Sequence, residues 1–171
     1  MNDGNWVVAL DGSKGAGKST TVALFKKLHP DVSDISLDFV RSDIGIVGTS
    51  FKKNKIAFEE VKRRVFEILK SGDNVILDCG LNEYRIKEIR SIAAQAEAKV
   101  VFIFLSAPYD VLIDRVKKRD EAKGKIFNID RFDEVYKIVM GKDFSKFTVV
   151  DTADKPVPEV VEVIDTLTSS L

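Results

Sequence analysis

The chain has 171 residues, 44% hydrophobic and 32% charged, enough for one domain with a sizeable core and too apolar for a disordered tail. Its 27 Lys and Arg balance 27 Asp and Glu, so no overall field draws it to nucleic acid or to an anionic membrane, although a local patch still can. A single Cys79 excludes an internal disulfide, and a single His29 excludes a His-rich metal site.

The chain opens Met1-Asn2-Asp3, without the positive start of a secretory signal. Trp6 to Leu10 reads as a buried first strand, and Gly12 to Thr20 as a glycine-rich turn entering a helix that carries Val22, Leu24, Phe25 and Leu28 and stops at His29-Pro30. A weaker strand is expected near Ile35-Ser36-Leu37. Residues 56 to 70 form the clearest helix, with Phe58, Val61, Val65, Ile68 and Leu69 on one stripe, and Ser71-Gly72-Asp73 ends it. Val75 to Leu77 is a further buried strand. Glu83 to Ala96 is a helix with Ile86, Ile89, Ala93 and Ala96 inward, and Val100 to Leu105 is the strongest strand. Pro108 opens the next helix, Phe147 to Val150 is the last strand, and Val157 to Leu167 closes the chain as a helix.

Five strand-length runs separated by helices predict an α/β fold, a parallel sheet with helices on both faces. Right-handed crossovers then put the ligand beyond the carboxyl ends of the strands. No linker or repeat divides the chain, so residues 1–171 are expected to form a single domain. No apolar run approaches the roughly 20 residues of a membrane span. A cytoplasmic protein without membrane partners is the expectation; the sequence leaves its oligomeric state open.

Gly12-Ser13-Lys14-Gly15-Ala16-Gly17-Lys18-Ser19 fits G-x-x-x-x-G-K-[ST] at every fixed position, between a buried strand and an amphipathic helix. Its glycines let backbone N–H groups approach phosphate oxygens, and the following helix presents its positive pole to the same anion. Through Thr20 this segment is expected to bind the triphosphate of ATP, with Lys18 on the β- and γ-phosphates and the Ser19 hydroxyl on Mg²⁺. The guanine-reading Asn-Lys-x-Asp of GTPases is absent near the last strand, where Asp151 to Lys155 lacks the Asn-Lys pair. A compact kinase remains.

Asp38-Phe39-Val40-Arg41 lies just past the second strand, where an acceptor meets the γ-phosphate. A carboxylate there can take the acceptor hydroxyl proton and an Arg can hold an anionic acceptor group, although Asp38 also suits a helix start. Asp43 is a weaker candidate for the same task. Asp78, ending Val75-Ile76-Leu77-Asp78, can hold Mg²⁺ or position the acceptor, or simply cap the turn at Gly80. Arg115 and Arg119, one helical turn apart, precede a Lys- and Gly-containing stretch and predict a lid over about 115–128 that closes on the transferring phosphoryl group. Lys52, Lys53, Lys55, Lys62, Arg63 and Arg64 suit either a nucleic-acid guide or a solvated helix face.

Together these residues resemble the polynucleotide-kinase-like branch of the P-loop kinases (AAA-33-like), in which Asp-x-x-Arg follows the second strand and an Asp-x-x-Leu-Asn-x-x-x-Arg run follows the third, here Asp78 to Arg85. The chain is also similar to adenylylsulfate, gluconate and shikimate kinases. The resemblance implies a three-layer α/β/α P-loop kinase fold with a five-stranded parallel sheet and a small lid. It implies an ATP- and Mg²⁺-dependent kinase acting on a hydroxyl acceptor, either a small anionic metabolite or nucleotide or a 5′-OH polynucleotide. By the same resemblance Asp38 is the general base, Arg41 the holder of the acceptor phosphate and Arg115 and Arg119 the lid ligands for ATP, while Asp78 and Arg85 shape the acceptor side. The rival reading is a nucleotide-dependent switch or regulator that acts on a protein partner.

Overall fold

Buried strands and amphipathic helices alternate in the computed structural model, which describes residues 4–171; Met1-Asn2-Asp3, read above for a signal, lies outside the described residues. The order is β1 (Trp6–Gly12), α1 (Lys18–Leu28), β2 (Ser33–Ser36), α2 (Leu37–Asp43), α3 (Phe51–Ser71), β3 (Val75–Asp78), α4 (Glu83–Gln95), β4 (Lys99–Ser106), α5 (Tyr109–Ala122), α6 (Ile129–Met140), a 3-10 turn at Phe144–Lys146, β5 (Thr148–Asp151) and α7 (Val157–Ser169). All strand pairs are parallel in the order β2-β3-β1-β4-β5, with Val8 paired to both Ile76 and Val101.

β1 is buried along its whole length because it is central and covered on both faces. Val7 and Ala9 pack with Phe58, Val61 and Val65 of α3 and with Ile86 and Ile89 of α4. Val8 and Leu10 point the other way, into a cluster with Phe25 of α1, Leu112 and Val116 of α5, Phe132 of α6 and Ile164 of α7. The period-2 alternation of one apolar run thus makes two cores, and the three-layer architecture follows. No helix among the described residues is long and apolar enough to cross a membrane.

Three boundaries differ from the sequence reading. Leu37 opens α2 and does not continue β2, because the Ser36 side chain caps the helix at the Phe39 N–H. α3 starts at Phe51, five residues earlier than the expected start at residue 56, capped by Ser50 at the Lys53 N–H, 3.2 Å away. α6 has no counterpart in the sequence reading and begins just beyond the lid expected over about 115–128; Asn128 caps it at the Arg131 N–H (2.9 Å), and Phe132 and Val139 bury its inner face.

The early start of α3 matters for the site. α3 runs back from the carboxyl edge of the sheet to the start of β3, and its first buried residue is Ala57. Its opening turn and a half, Phe51–Ile56, therefore buries no side chain in the core, and the helix packs against α2.

Candidate active site

β1 delivers the glycine-rich segment to the carboxyl edge and α1 leaves it. Gly12 adopts φ 145° and Gly15 φ 85°. A Cβ on Gly12 would collide with the Leu105 carbonyl oxygen, and one on Gly15 would fall 2.8 Å from the Leu112 carbonyl oxygen. Gly17 caps α1 at φ 93° with no side-chain acceptor, so the first N–H groups of the helix stay available to an anion. Gly12→Ala should destabilise the fold by about 1–3 kcal/mol from overpacking alone, with backbone strain added. Gly17→Ala meets nothing within 4 Å and should cost only the left-handed backbone penalty, about 1–2 kcal/mol. Denaturant midpoints of the two variants check the order.

The loop walls a cleft of about 870 Å³, lined by Ser13 to Thr21 with Asp38, Asp78, Arg115, Arg119, Lys123 and Thr152 and closed on one side by Lys155, Pro156, Val157 and Val160. Ser13 Oγ is buried and finds no hydrogen-bond partner among the described residues. A buried hydroxyl without a partner is costly, and at this position a phosphate oxygen would satisfy it. Lys18 Nζ donates to the Gly12 carbonyl at 2.6 Å and the Ser13 carbonyl at 3.2 Å. Burial lowers its pKa, against the pull of Asp78 and Asp11. Burial likewise raises the pKa of Asp78, opposed by Lys18 and by the Ser19 hydroxyl. Ser19 and Asp78 offer oxygen donors beside the loop, a set that fits Mg²⁺ completed by phosphates and water. No cluster of three or more His, Cys, Asp or Glu gathers as a metal site among the described residues.

Asp38 stands in the first turn of α2 with its side chain 83% exposed, and Arg41 Nη2 donates to its Oδ1 at 2.7 Å. Arg41 is anchored from behind, its Nη1 donating to Asn54 Oδ1 at 2.9 Å. The Asp-x-x-Arg spacing thus pairs Arg41, which does not itself line the cleft, with Asp38, which does, and ties the pair to Asn54 in the first turns of α3.

The remaining arginines divide by role. Arg115 lines the cleft, but its guanidinium is largely engaged, donating to the Thr152 hydroxyl (3.1 Å) and carbonyl (2.6 Å) and to the Gly15 carbonyl (3.3 Å). It ties the phosphate loop to the segment after β5. Arg119, more exposed, pairs only with its neighbour Asp120 at 3.1 Å among the described residues. Arg85 lies outside the cleft; its Nη1 donates to the Cys79 and Gly80 carbonyls and its guanidinium covers the Phe58 ring at 5.1 Å. It fixes the β3–α4 turn, where burial pushes the Cys79 thiol up to about 12.

The basic stretch of α3 also divides. Lys62 pairs with Glu59 (2.8 Å) and Glu88 (2.6 Å), Arg63 with Glu60 (2.7 Å) and Glu67 (2.6 Å), and Arg64 with Glu60 and Asp43. Hydrogen bonds from Arg63 and Arg64 hold the Glu60 carboxyl down to about 2. Lys52, Lys53 and Lys55 pair with no carboxylate among the described residues, and Phe39 on α2 (65% exposed) and Phe51 at the start of α3 (86%) stand bare.

The sequence reading missed Thr152, whose buried hydroxyl lies 3.2 Å from the Ala16 carbonyl and 3.1 Å from that of Ser106. It also missed an ion pair between Asp11 and Lys142, 131 residues apart. Asp11 stood in plain view before Gly12; nothing local marks Lys142.

The model of the AAA_33 family, an AAA domain, matches residues 7–134. No curated protein matches. Among solved structures, a gluconokinase from Sinorhizobium meliloti 1021 is 19% identical with TM-score 0.66, covering 93% of this chain and 87% of its own. The Mycobacterium tuberculosis APS kinase CysC, solved with AMPPNP and APS, is 17% identical with TM-score 0.64, covering 96% and 98%. A chain of the Pnkp1/Rnl/Hen1 RNA repair complex is 22% identical with TM-score 0.67, covering 80% of this chain and 44% of that one. With the family model spanning three quarters of its length and the 2-3-1-4-5 parallel sheet shared with these kinases, the chain belongs to the AAA_33 family of AAA domains and has the P-loop kinase fold.

Proposed function

We propose that the protein is an ATP- and Mg²⁺-dependent kinase that transfers the γ-phosphoryl group to a hydroxyl on an anionic acceptor. The observation that carries this reading is the single cleft in which the whole phosphate loop faces Asp38, Asp78 and Arg119. A switch or regulator needs the loop; it has no evident use for an exposed carboxylate aimed by a buttressed arginine on the opposite wall.

In this reading, the N–H groups of Gly15 to Ser19 and the Lys18 ammonium hold the triphosphate, and Ser13 Oγ gains its missing partner. Ser19 and Asp78 hold Mg²⁺, which when bound neutralises phosphate charge. Asp38 Oδ orients the acceptor hydroxyl and takes its proton, while Arg41 shares its guanidinium between Asp38 and the acceptor's anionic group. Arg119, on α5, swings from Asp120 to the transferring group, and Arg115 keeps the nucleotide side in place. The work is positioning and charge stabilisation.

The acceptor enters past the exposed first turn of α3. Three lysines at the positive pole of a helix oppose its dipole and weaken it, so their placement there supports recognition of an anion in place of stability. A small anionic metabolite, a nucleotide and a 5′-OH polynucleotide all satisfy that chemistry, and the two bare phenylalanines suit the rings of the last two. The test is transfer from γ-labelled ATP to a panel of 5′-hydroxyl oligonucleotides, nucleosides and hydroxylated metabolites. Label on any of them supports the kinase and names its acceptor class. ATP binding and steady hydrolysis stimulated by a protein partner, with no labelled acceptor, would replace it with the regulator.

A further inference from the structure

Asp11 is the most buried charge in the molecule's described part, 1% exposed, and it immediately precedes the phosphate loop. A carboxylate in that place opposes the function proposed above: at low dielectric its negative charge repels the triphosphate that the loop is built to receive. The structure answers with Lys142. Its side chain, 18% exposed, pairs with Asp11 Oδ2, while Asp11 Oδ1 accepts the Gly12 N–H at 2.8 Å. The other side of the same residue, the Gly12 carbonyl, receives Lys18 Nζ at 2.6 Å. Lys142 is therefore linked to the phosphate-binding ammonium through one carboxylate and one glycine.

Lys142 is also held where it is. The segment that carries it returns from α6 to β5 and is pinned across the carboxyl edge: Lys146 pairs with Glu83, the Phe144 ring meets Phe104 at 4.7 Å, and Phe147 meets Phe102 at 6.3 Å. Those contacts fix the backbone from which Lys142 reaches Asp11.

We propose that Lys142 is a positioning residue of the phosphoryl-transfer site, which cancels the Asp11 charge beside the phosphates and through Asp11 fixes the Gly12 peptide against which Lys18 is set. The proposal rests on the reading that the loop binds a nucleoside triphosphate. It makes a prediction about sign that a merely structural ion pair does not. Lys142→Met leaves a buried, uncompensated negative charge; Asp11→Asn keeps an acceptor for the Gly12 N–H and leaves a free positive charge. Both variants lose stability, since each breaks a buried pair, but they move nucleotide affinity in opposite directions.

The experiment is calorimetric titration of the full chain and its variants with MgATP and with MgADP, alongside thermal denaturation. Lys142→Met should weaken MgATP binding about tenfold or more, with a smaller loss for MgADP, which carries less charge. Asp11→Asn should bind MgATP at least as tightly as the unaltered chain, and the double variant Asp11→Asn/Lys142→Met should return to within about threefold of it. Should Lys142→Met fail to fold, the last two variants decide alone, because only the charge account has the double variant binding less tightly than Asp11→Asn. Affinities that fall together in both single variants, or that do not move while stability drops, overturn the proposal. If the unaltered chain binds no ATP, the proposed function itself fails, an outcome distinct from either.

Discussion

Lys18→Ala should abolish phosphoryl transfer and weaken ATP binding while the fold persists. Lys18 is the first residue of α1, where alanine propagates a helix well, so the substitution removes an ammonium without disturbing backbone geometry. That ammonium rests on the Gly12 and Ser13 carbonyls. It is drawn out of water, and burial lowers its pKa while Asp78 and Asp11 hold it charged. Phosphate oxygens are far better partners than those two carbonyls, and their charge grows at the bridging oxygen as the γ-phosphoryl group leaves. Removing one preorganised stabiliser of such charge costs about 10²–10³ in rate, and losing a phosphate ligand lowers affinity besides. The sign of the pH dependence follows. Because the folded pKa lies below that of an ordinary lysine, the alkaline limb of kcat/KM for ATP should begin at a lower pH than free lysine would give, as rising pH removes the proton. That limb should be missing from the residual activity of Lys18→Ala. Fluorescent-nucleotide binding and label transfer across pH check both statements, and wild-type transfer in the variant would remove Lys18 from the mechanism.

Much of this site was legible because its signals are local. The run Trp6 to Leu10 is apolar on both faces, which only a central parallel strand needs, and the eight residues from Gly12 to Ser19 fix loop, helix start and ligand chemistry together. Asp38 and Arg41 sit three apart, so one helical turn suffices to pair them. What the sequence hid depends on contacts that no spacing encodes. Arg115 and Arg119 look alike as a one-turn pair, yet the first is engaged by carbonyls near Thr152 and the second faces the cleft. Arg85 fits a motif by spacing but spends its guanidinium on the turn at Cys79 and Gly80. α6 was concealed by the polar, glycine-containing stretch before it, although Asn128 followed by Phe132, Tyr136 and Val139 is a cap and a helical stripe. Lys52 and Lys62 belong to one basic stretch in the sequence; only the fold separates the unpaired end from the end neutralised by Glu59 and Glu88.

Asp38→Asn should leave ATP affinity nearly unchanged and cut transfer by about 10²–10⁴-fold, the usual cost of a lost general base. Asp38 lines the cleft from α2, apart from the phosphate loop, and among the described residues its one ion-pair partner is Arg41. Asparagine keeps the shape and accepts a hydrogen bond from Arg41 through its carbonyl, and the Ser36 cap of α2 is untouched, but it cannot take a proton. The alternative base is Asp78, close enough to feel the Asp38 charge and itself raised by burial. The two are separable. Asp78→Asn removes a donor for Mg²⁺ and should weaken MgATP binding together with transfer, whereas Asp38→Asn should touch kcat and spare nucleotide affinity. Single-turnover transfer with ATP and acceptor saturating isolates the chemical step. A rate in Asp38→Asn within about threefold of the unaltered protein, below the smallest loss a general base explains, would shift the proton to Asp78 and leave the Asp38–Arg41–Asn54 chain as scaffolding for the acceptor wall.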